Sequence, residues 1–414
     1  MFSEIVIYFF LSGISFFLGT LYFIYPKNAI SFFLVLSLIL PTSNQFMSYT
    51  SYSGIYFYDF FFFLFSFYYL ITLFNDKKIF KKNILNISIA FFLILFYSIY
   101  AFSNSVVFDK YLLRDIRPFL TLFYAFVIIS TFKQKIISIK RLVNILILVF
   151  VLKILFFLTI YFGFSFKDQY YEDNIFRYFD ASTFIACLYL IYSIFKKNKI
   201  LESVPKSLFN LLFILSIFII LISNLRILIF ALIVIYFMYS SFNLFKKILF
   251  VLSFLSLFVA SSYFLEADRI LNANTSKGVA LQLATRFSPA IEKISEMKNI
   301  EYLYGLGLGT YFEIPWFKYR GLDTKLNTID STYLSLFVKY GFLSLLIIFV
   351  FFRLLLFNIN NSRIRASFII FYLIIFFTLS SLYQSGTIFH FLFLNLLVYS
   401  IKDESPSHSI SVSS

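Results

Sequence analysis

Polar residues that could do chemistry are few in this sequence. They concentrate between residues 301 and 349, EYLYGLGLGTYFEIPWFKYRGLDTKLNTIDSTYLSLFVKYGFLSLLIIF, where a glycine-bearing polar stretch runs into a long apolar segment. Asp330, in NTIDSTYLSLFVKYG, is the carboxylate nearest the start of that segment. Its position gives it two compatible uses: capping the helix that begins there, and accepting a proton from a substrate hydroxyl. Asp330 is therefore a candidate catalytic base. Tyr333 follows one turn later and Arg286 lies upstream, in the hydrophilic segment 266–330 that leads to Asp330; both join the candidate substrate-binding set. The run GLGLG at 305–309 offers backbone freedom and amide donors. With no following Lys-Ser and no βαβ context it is not a nucleotide loop.

Arginines are the other candidates, because a guanidinium is always charged and grips phosphate through two parallel hydrogen bonds. Arg226, in LISNLRILIF, stands between two short apolar runs with Ser223 and Asn224 beside it as further donors. It reads either as a hairpin-tip arginine snorkelling to the interface or as the catalytic cation of an anion site. Arg114 and Arg117, in YLLRDIRPFL, are spaced to project from one side of a helical turn, with Asp115 between them and Pro118 placed to start a helix. That pair suits phosphate or carboxylate recognition, and an interfacial ion-pair network fits the spacing equally. Arg177, in NIFRYFDASTFIA, precedes another apolar run in the company of Glu172, Asp173 and Asp180, a set that also reads as a solvated charged loop. His390, His408 and the single Cys187 are scattered, so no zinc site is expected and no cofactor is called for.

The elements that must hold these residues follow from composition. With 61% hydrophobic and 13% charged residues, 64 Phe and 31 Tyr, the chain reads as a polytopic membrane protein. The fold class expected is all-α, a transmembrane helical bundle in which helices satisfy their own backbone groups. Apolar spans fall at 4–25, 29–47, 55–74, 84–103, 118–132, 142–163, 181–195, 207–223, 227–240, 248–264, 331–352, 366–382 and 388–401. The count drops by one if the second span, interrupted by Pro41, is re-entrant. Lys153 is the main charge inside a span. The N-terminal MFSEIVIYFF reads as a retained first helix.

A net charge of +15 invites a nucleic-acid reading, but Lys and Arg lie in short clusters between spans, where they act as topology signals. No nucleic-acid partner is expected. The basic loops NDKKIFKKN, KQKIISIKR, KKNKILESVPK, SFNLFKK and RLLLFNINNSRIR are assigned to the cytoplasm, which places 104–117, 164–180 and 265–330 outside. The organisation is then helices with short loops over 1–264, an extracytoplasmic loop over 265–330, three further helices over 331–401 and a disordered Ser-rich cytoplasmic tail over 402–414. An amphipathic helix is expected within the long loop, around SPAIEKISEMKNIEYL.

Three segments together resemble the bacterial O-antigen polymerase and O-antigen ligase family of polytopic glycosyltransferases. YGLGLGTYF followed by IDSTYLSLFVKYGFLSLLIIF is similar to the family's outer loop and the helix after it, SNLRILIFALIVIY to its Ser-Arg helix start, and RYFDASTFIACLYL to its mid-chain segment. The resemblance matches Arg226 and Arg177 to family arginines. It departs at Asp330, where ligases usually carry His, and in the missing Gly and Asn of the mid-chain segment. What it implies is a GT-C-like, metal-independent membrane enzyme that polymerises oligosaccharide repeat units on polyprenyl pyrophosphate at the outer face of the cytoplasmic membrane. The lipid-linked oligosaccharide and the bilayer are its implied partners, and a chain-length regulator stands open as a third. Tyr and Trp of the long loop, including Trp316, suit either sugar stacking or interface anchoring. Two rival readings also stand: a ligase transferring glycan to a lipid or protein acceptor, and a non-enzymatic transporter or flippase for the same lipid-linked sugars.

Overall fold

A computed structural model describes residues 2–40, 47–52, 54–75, 95–97, 99–100, 110–132, 136–163, 180–223, 225–264, 276–314, 324–384 and 386–402. Among them the chain is almost entirely helical. The helices are α1 (Phe2–Tyr22), α2 (Pro26–Ile39), α3 (Met47–Thr50), α4 (Asp59–Asn75), α5 (Lys110–Asp115), α6 (Arg117–Thr131), α7 (Ile139–Gly163), α8 (Ala181–Ser203) and α9 (Lys206–Ser223). There follow α10 (Arg226–Tyr239), α11 (Leu244–Phe264), α12 (Ser276–Glu296), α13 (Glu301–Tyr304), α14 (Thr332–Tyr340), α15 (Ser344–Leu355), α16 (Ser362–Thr378) and α17 (Thr387–Lys402). Two short antiparallel hairpins complete the described fold: β1 (Ser51–Tyr52) with β2 (Ile55–Tyr56), and β3 (Phe312–Glu313) with β4 (Lys325–Leu326).

The helices coincide with the apolar runs because only a helix satisfies backbone groups locally where lipid offers no partner. Four of them, Ser3–Tyr22, Ile139–Thr159, Lys206–Ser223 and the joined α14–α15 segment Thr332–Leu355, are long and apolar enough to cross a membrane. Others, such as Arg117–Thr131 and Thr387–Ile401, are apolar but shorter. Large apolar side chains point away from the body, Phe10 at 67% and Phe245 at 73% exposure among them. Such surfaces suit lipid better than water. Inside, α1 packs on α2 and α4, α8 on α9, α10 on α16, and α17 against α6 and α8. Aromatic rings fill much of that core: Phe33 stacks on Phe61 at 3.7 Å and Phe62 on Tyr124 at 5.4 Å.

Two local expectations are corrected. The predicted continuous helix over 331–352 is broken: α14 stops at Tyr340, a 3₁₀ turn covers Gly341–Leu343, and α15 resumes at Ser344. The break falls at Gly341, whose φ of 55° is costly for any residue with a Cβ. Asp330, second, is not the cap of α14. Ser331 is, its hydroxyl accepting from the Leu334 amide at 3.4 Å. The expected amphipathic helix is found as α12, which runs through Pro289. Trp316, most of the predicted span 84–103 and the tail beyond Lys402 lie outside the described residues.

Candidate functional site

Pro118 has no N–H to give to the carbonyl of Arg114, so the helical chain breaks between α5 and α6, with Asp115 as the last residue of α5. That break leaves Asp115 fully buried at 0% exposure, and the structure builds a site around it. Its Oδ1 accepts from Asn327 Nδ2 at 2.6 Å and from the ammonium of Lys339, itself 0% exposed, as an ion pair. Its Oδ2 accepts from the Gly309 amide at 2.7 Å, and its carbonyl from the Tyr340 hydroxyl at 3.0 Å. A buried carboxylate is tolerated only when paired and hydrogen-bonded in this way. Lys339 also faces the ring of Tyr383, 5.5 Å from its centroid. Burial pushes the Tyr383 hydroxyl well above the usual phenol range, so this ring stays neutral beside the pair.

The GLGLG run serves the same site. Breaking a helix at Tyr340 would orphan its last carbonyls, a severe cost away from water. The loop supplies the missing donors: Leu306 N–H to Val338 O at 2.8 Å and Gly307 N–H to Lys339 O at 3.0 Å. The approach is close enough to require glycine. A Cβ on Gly305 would stand 2.2 Å from the Lys339 carbonyl carbon, and one on Gly341 would stand 2.5 Å from Tyr302 O. The amide donors expected from sequence are thus present, and the described ones at 306, 307 and 309 all serve the chain itself.

Two more buried ion pairs brace this end of the body, where α4, α6, α8, α14 and α17 begin. Arg117, 5% exposed, gives Nη1 to Asp59 Oδ2 at 2.6 Å and Nη2 to Tyr58 Oη at 3.1 Å, with the Tyr56 ring 5.0 Å from its guanidinium carbon. Lys153 of α7 pairs with Asp180, the N-cap of α8, and donates to Ser182 Oγ. Asp180 Oδ1 meanwhile accepts from both the amide and the hydroxyl of Ser182, each at 2.8 Å. Ala181 abuts Gly386 at the start of α17, which ties this pair to the turn carrying Tyr383.

The expected site residues divide accordingly. Arg286 and Asp330 are brought together, Nε to Oδ2 at 3.5 Å, with side chains 40% and 57% exposed. Arg114 is half-buried, with Gly54 beside its side chain. Arg117, expected to project beside Arg114 at an interface, is instead committed to Asp59 in the interior. Arg226 opens α10 half-buried, while Ser223 beside it spends its hydroxyl on the Ile220 carbonyl at 2.6 Å. Tyr333 donates to the Leu373 carbonyl at 3.2 Å. Arg177 and Asn224 lie outside the described residues. Asp59, Lys339 and the pairing of Lys153 with Asp180 were not foreseen. A lysine within an apolar run implies a hidden carboxylate, and Lys153 and Lys339 both carried that signal.

Among the described residues no three His, Cys, Asp or Glu gather as metal ligands would. The arrangement offers a charge-compensated, rigid floor and, on the segment anchored to it through Asn327, an accessible carboxylate held by a guanidinium. No curated protein matches the chain, and neither does any solved structure. Residues 128–407 match a family described as "Family of unknown function (DUF6369)", and since that stretch is well over half of the sequence, the chain belongs to this family.

Proposed function

We propose that this chain is a multi-pass glycosyltransferase of GT-C-like architecture in the bacterial cytoplasmic membrane, and that it joins polyprenyl-pyrophosphate-linked oligosaccharide repeat units into O-antigen or a related surface polysaccharide at the outer face. The observation that carries this reading is the exposed Asp330–Arg286 pair. Its carboxylate is not spent on capping and not buried, and it sits on a segment pinned to a rigid floor. The resemblance of the 301–349 segment to the polymerase family supports it from the sequence side.

In this reaction an acceptor sugar hydroxyl gives its proton to Asp330 while its oxygen bonds to the donor's anomeric carbon. The bond from that carbon to the pyrophosphate oxygen breaks, and the leaving pyrophosphate takes the electron pair. Arg286 orients the base, while Arg226, Arg114 and Arg177 stabilise the developing anion. The test uses cells lacking the gene and complemented with variants. Asp330→Asn should leave only single-repeat product at normal protein level; a full polysaccharide ladder would remove the catalytic assignment.

The buried Lys153–Asp180 pair favours one second reading, a transporter for the same lipid-linked sugars, because charge within an apolar helix often marks a translocation path. The location of accumulated repeats separates the two. Deletion of a polymerase leaves single repeats outside the cytoplasmic membrane, and deletion of a transporter traps them inside.

A further inference from the structure

At the other end of the helical body lies a cavity of about 350 Å³, within the range of small-molecule sites. By helix rise along α8 it is roughly 30 Å from Asp180. The end of α8, the 358–361 turn before α16 and the end of α17 enclose it. Its apolar part is formed by Ile359, Val398 and Ile401, and its polar part by Lys196, Lys199, Glu202 and the asparagines 358, 360 and 361.

Charge and hydrogen-bonding capacity here point to an anion. Lys196 and Lys199 are three apart at the end of α8, which departs from helical geometry at Lys196 with φ −119° and ψ 17°. Among the described residues Glu202 is the one lining acid. Arg365 adds a third cation beside the wall, its Nε donating to the Ile359 carbonyl. Asn361 spends its carbonyl oxygen on the amides of Arg363 and Ile364, which leaves its NH₂ as a donor. Asn358 is fixed between Asn395 and Tyr399 and sets the shape of the base. Two lysines and three asparagines from two elements line this one cavity beside an apolar wall. That is the environment of a tetrahedral anion carrying an apolar flank.

We infer that this cavity binds a phosphate ester, held at its phosphate by Lys196, Lys199 and the carboxamides of Asn360 and Asn361. The ester is supplied either by the headgroup of an anionic phospholipid or by a soluble phosphate compound. The site is independent of the glycosyl-transfer reading.

The test is a melting curve of the purified full-length protein in neutral detergent. It is run with added phosphatidylglycerol, with phosphatidylcholine, and with glycerol 3-phosphate without lipid. A saturable rise in melting temperature with phosphatidylglycerol but not phosphatidylcholine supports the site and assigns the lipid source; a rise with glycerol 3-phosphate supports it and assigns the soluble one. Lys196→Gln with Lys199→Gln should weaken the apparent affinity at least about tenfold, and the Arg pair should retain it. Asn360→Asp, an exposed change that folding tolerates, should weaken binding as well and decides the matter if the Gln pair does not fold. Equal stabilisation by both lipids with none from glycerol 3-phosphate, no stabilisation by any, or an unchanged shift in Asn360→Asp would each overturn the inference.

Discussion

The two ends of this helical body treat charge in opposite ways. At one end Asp59, Asp115 and Asp180 are buried and each is matched to a buried cation, so their charges are consumed by the fold. At the other, Lys196 and Lys199 line an open cavity where Glu202 is the only acid among the described residues. Buried pairs are weak evidence of net stability but strong evidence of a required geometry, because removing one partner strands the other. Cations on a cavity wall that pair with no acid among the described residues leave their charge for a ligand. The candidate chemistry at the first end therefore belongs to the accessible Asp330 and Arg286, which stand outside the matched set.

The two ends are expected to face opposite sides of a membrane. Cysteine introduced at Ser276 should react with an impermeant thiol reagent in intact cells and cysteine at Ser203 should not; the reverse labelling would invert the orientation. The next effect is on stability. Asp115→Ala should cost about 3–5 kcal/mol by isolating Lys339, read as lost protein level and lower melting temperature. Asp115→Leu combined with Lys339→Met should recover much of that loss, and no recovery would mean that the amide contacts to Gly309 and Asn327 matter more than charge balance. Gly341→Ala should cost about 1–3 kcal/mol, since φ is positive and Tyr302 O blocks the Cβ. The smallest effect is at the cap. Ser331→Ala should cost about 1 kcal/mol, whereas Asp330→Asn should leave the melting temperature unchanged. A larger loss at Asp330 would return the capping role to it.

Helix positions were legible because apolar runs and helical segments obey the same constraint. The predicted span 207–223 meets α9 at Lys206–Ser223, and 388–401 meets α17 at Thr387–Lys402. The cap of α14 was misassigned because Asp330 and Ser331 are adjacent and equally good capping types, and only backbone geometry chooses between them. By sequence Asp115 simply lies between Arg114 and Arg117. Its partner is instead 224 residues away, a pairing fixed by docking of the 301–340 segment and invisible to spacing. GLGLG was seen as a donor-rich loop, but its acceptors, the carbonyls of a helix that breaks at Gly341, exist only once that break is known.

The distance between Asp115 and Lys339 also sets a schedule. At a synthesis rate of about 5–20 residues per second, Asp115 leaves the ribosome roughly 10–45 s before its cation does. During that interval the start of α6 can lie among neighbouring helices only with an unmatched carboxylate beside it, so the Asp115 end has to remain wet while the rest of the body assembles. Closure of the floor is then a late event, triggered when α14 arrives with Lys339 and the glycine loop locks over its last carbonyls. A chain truncated before residue 339 would keep the helices from α1 to α13 and lack the cation that lets this end close.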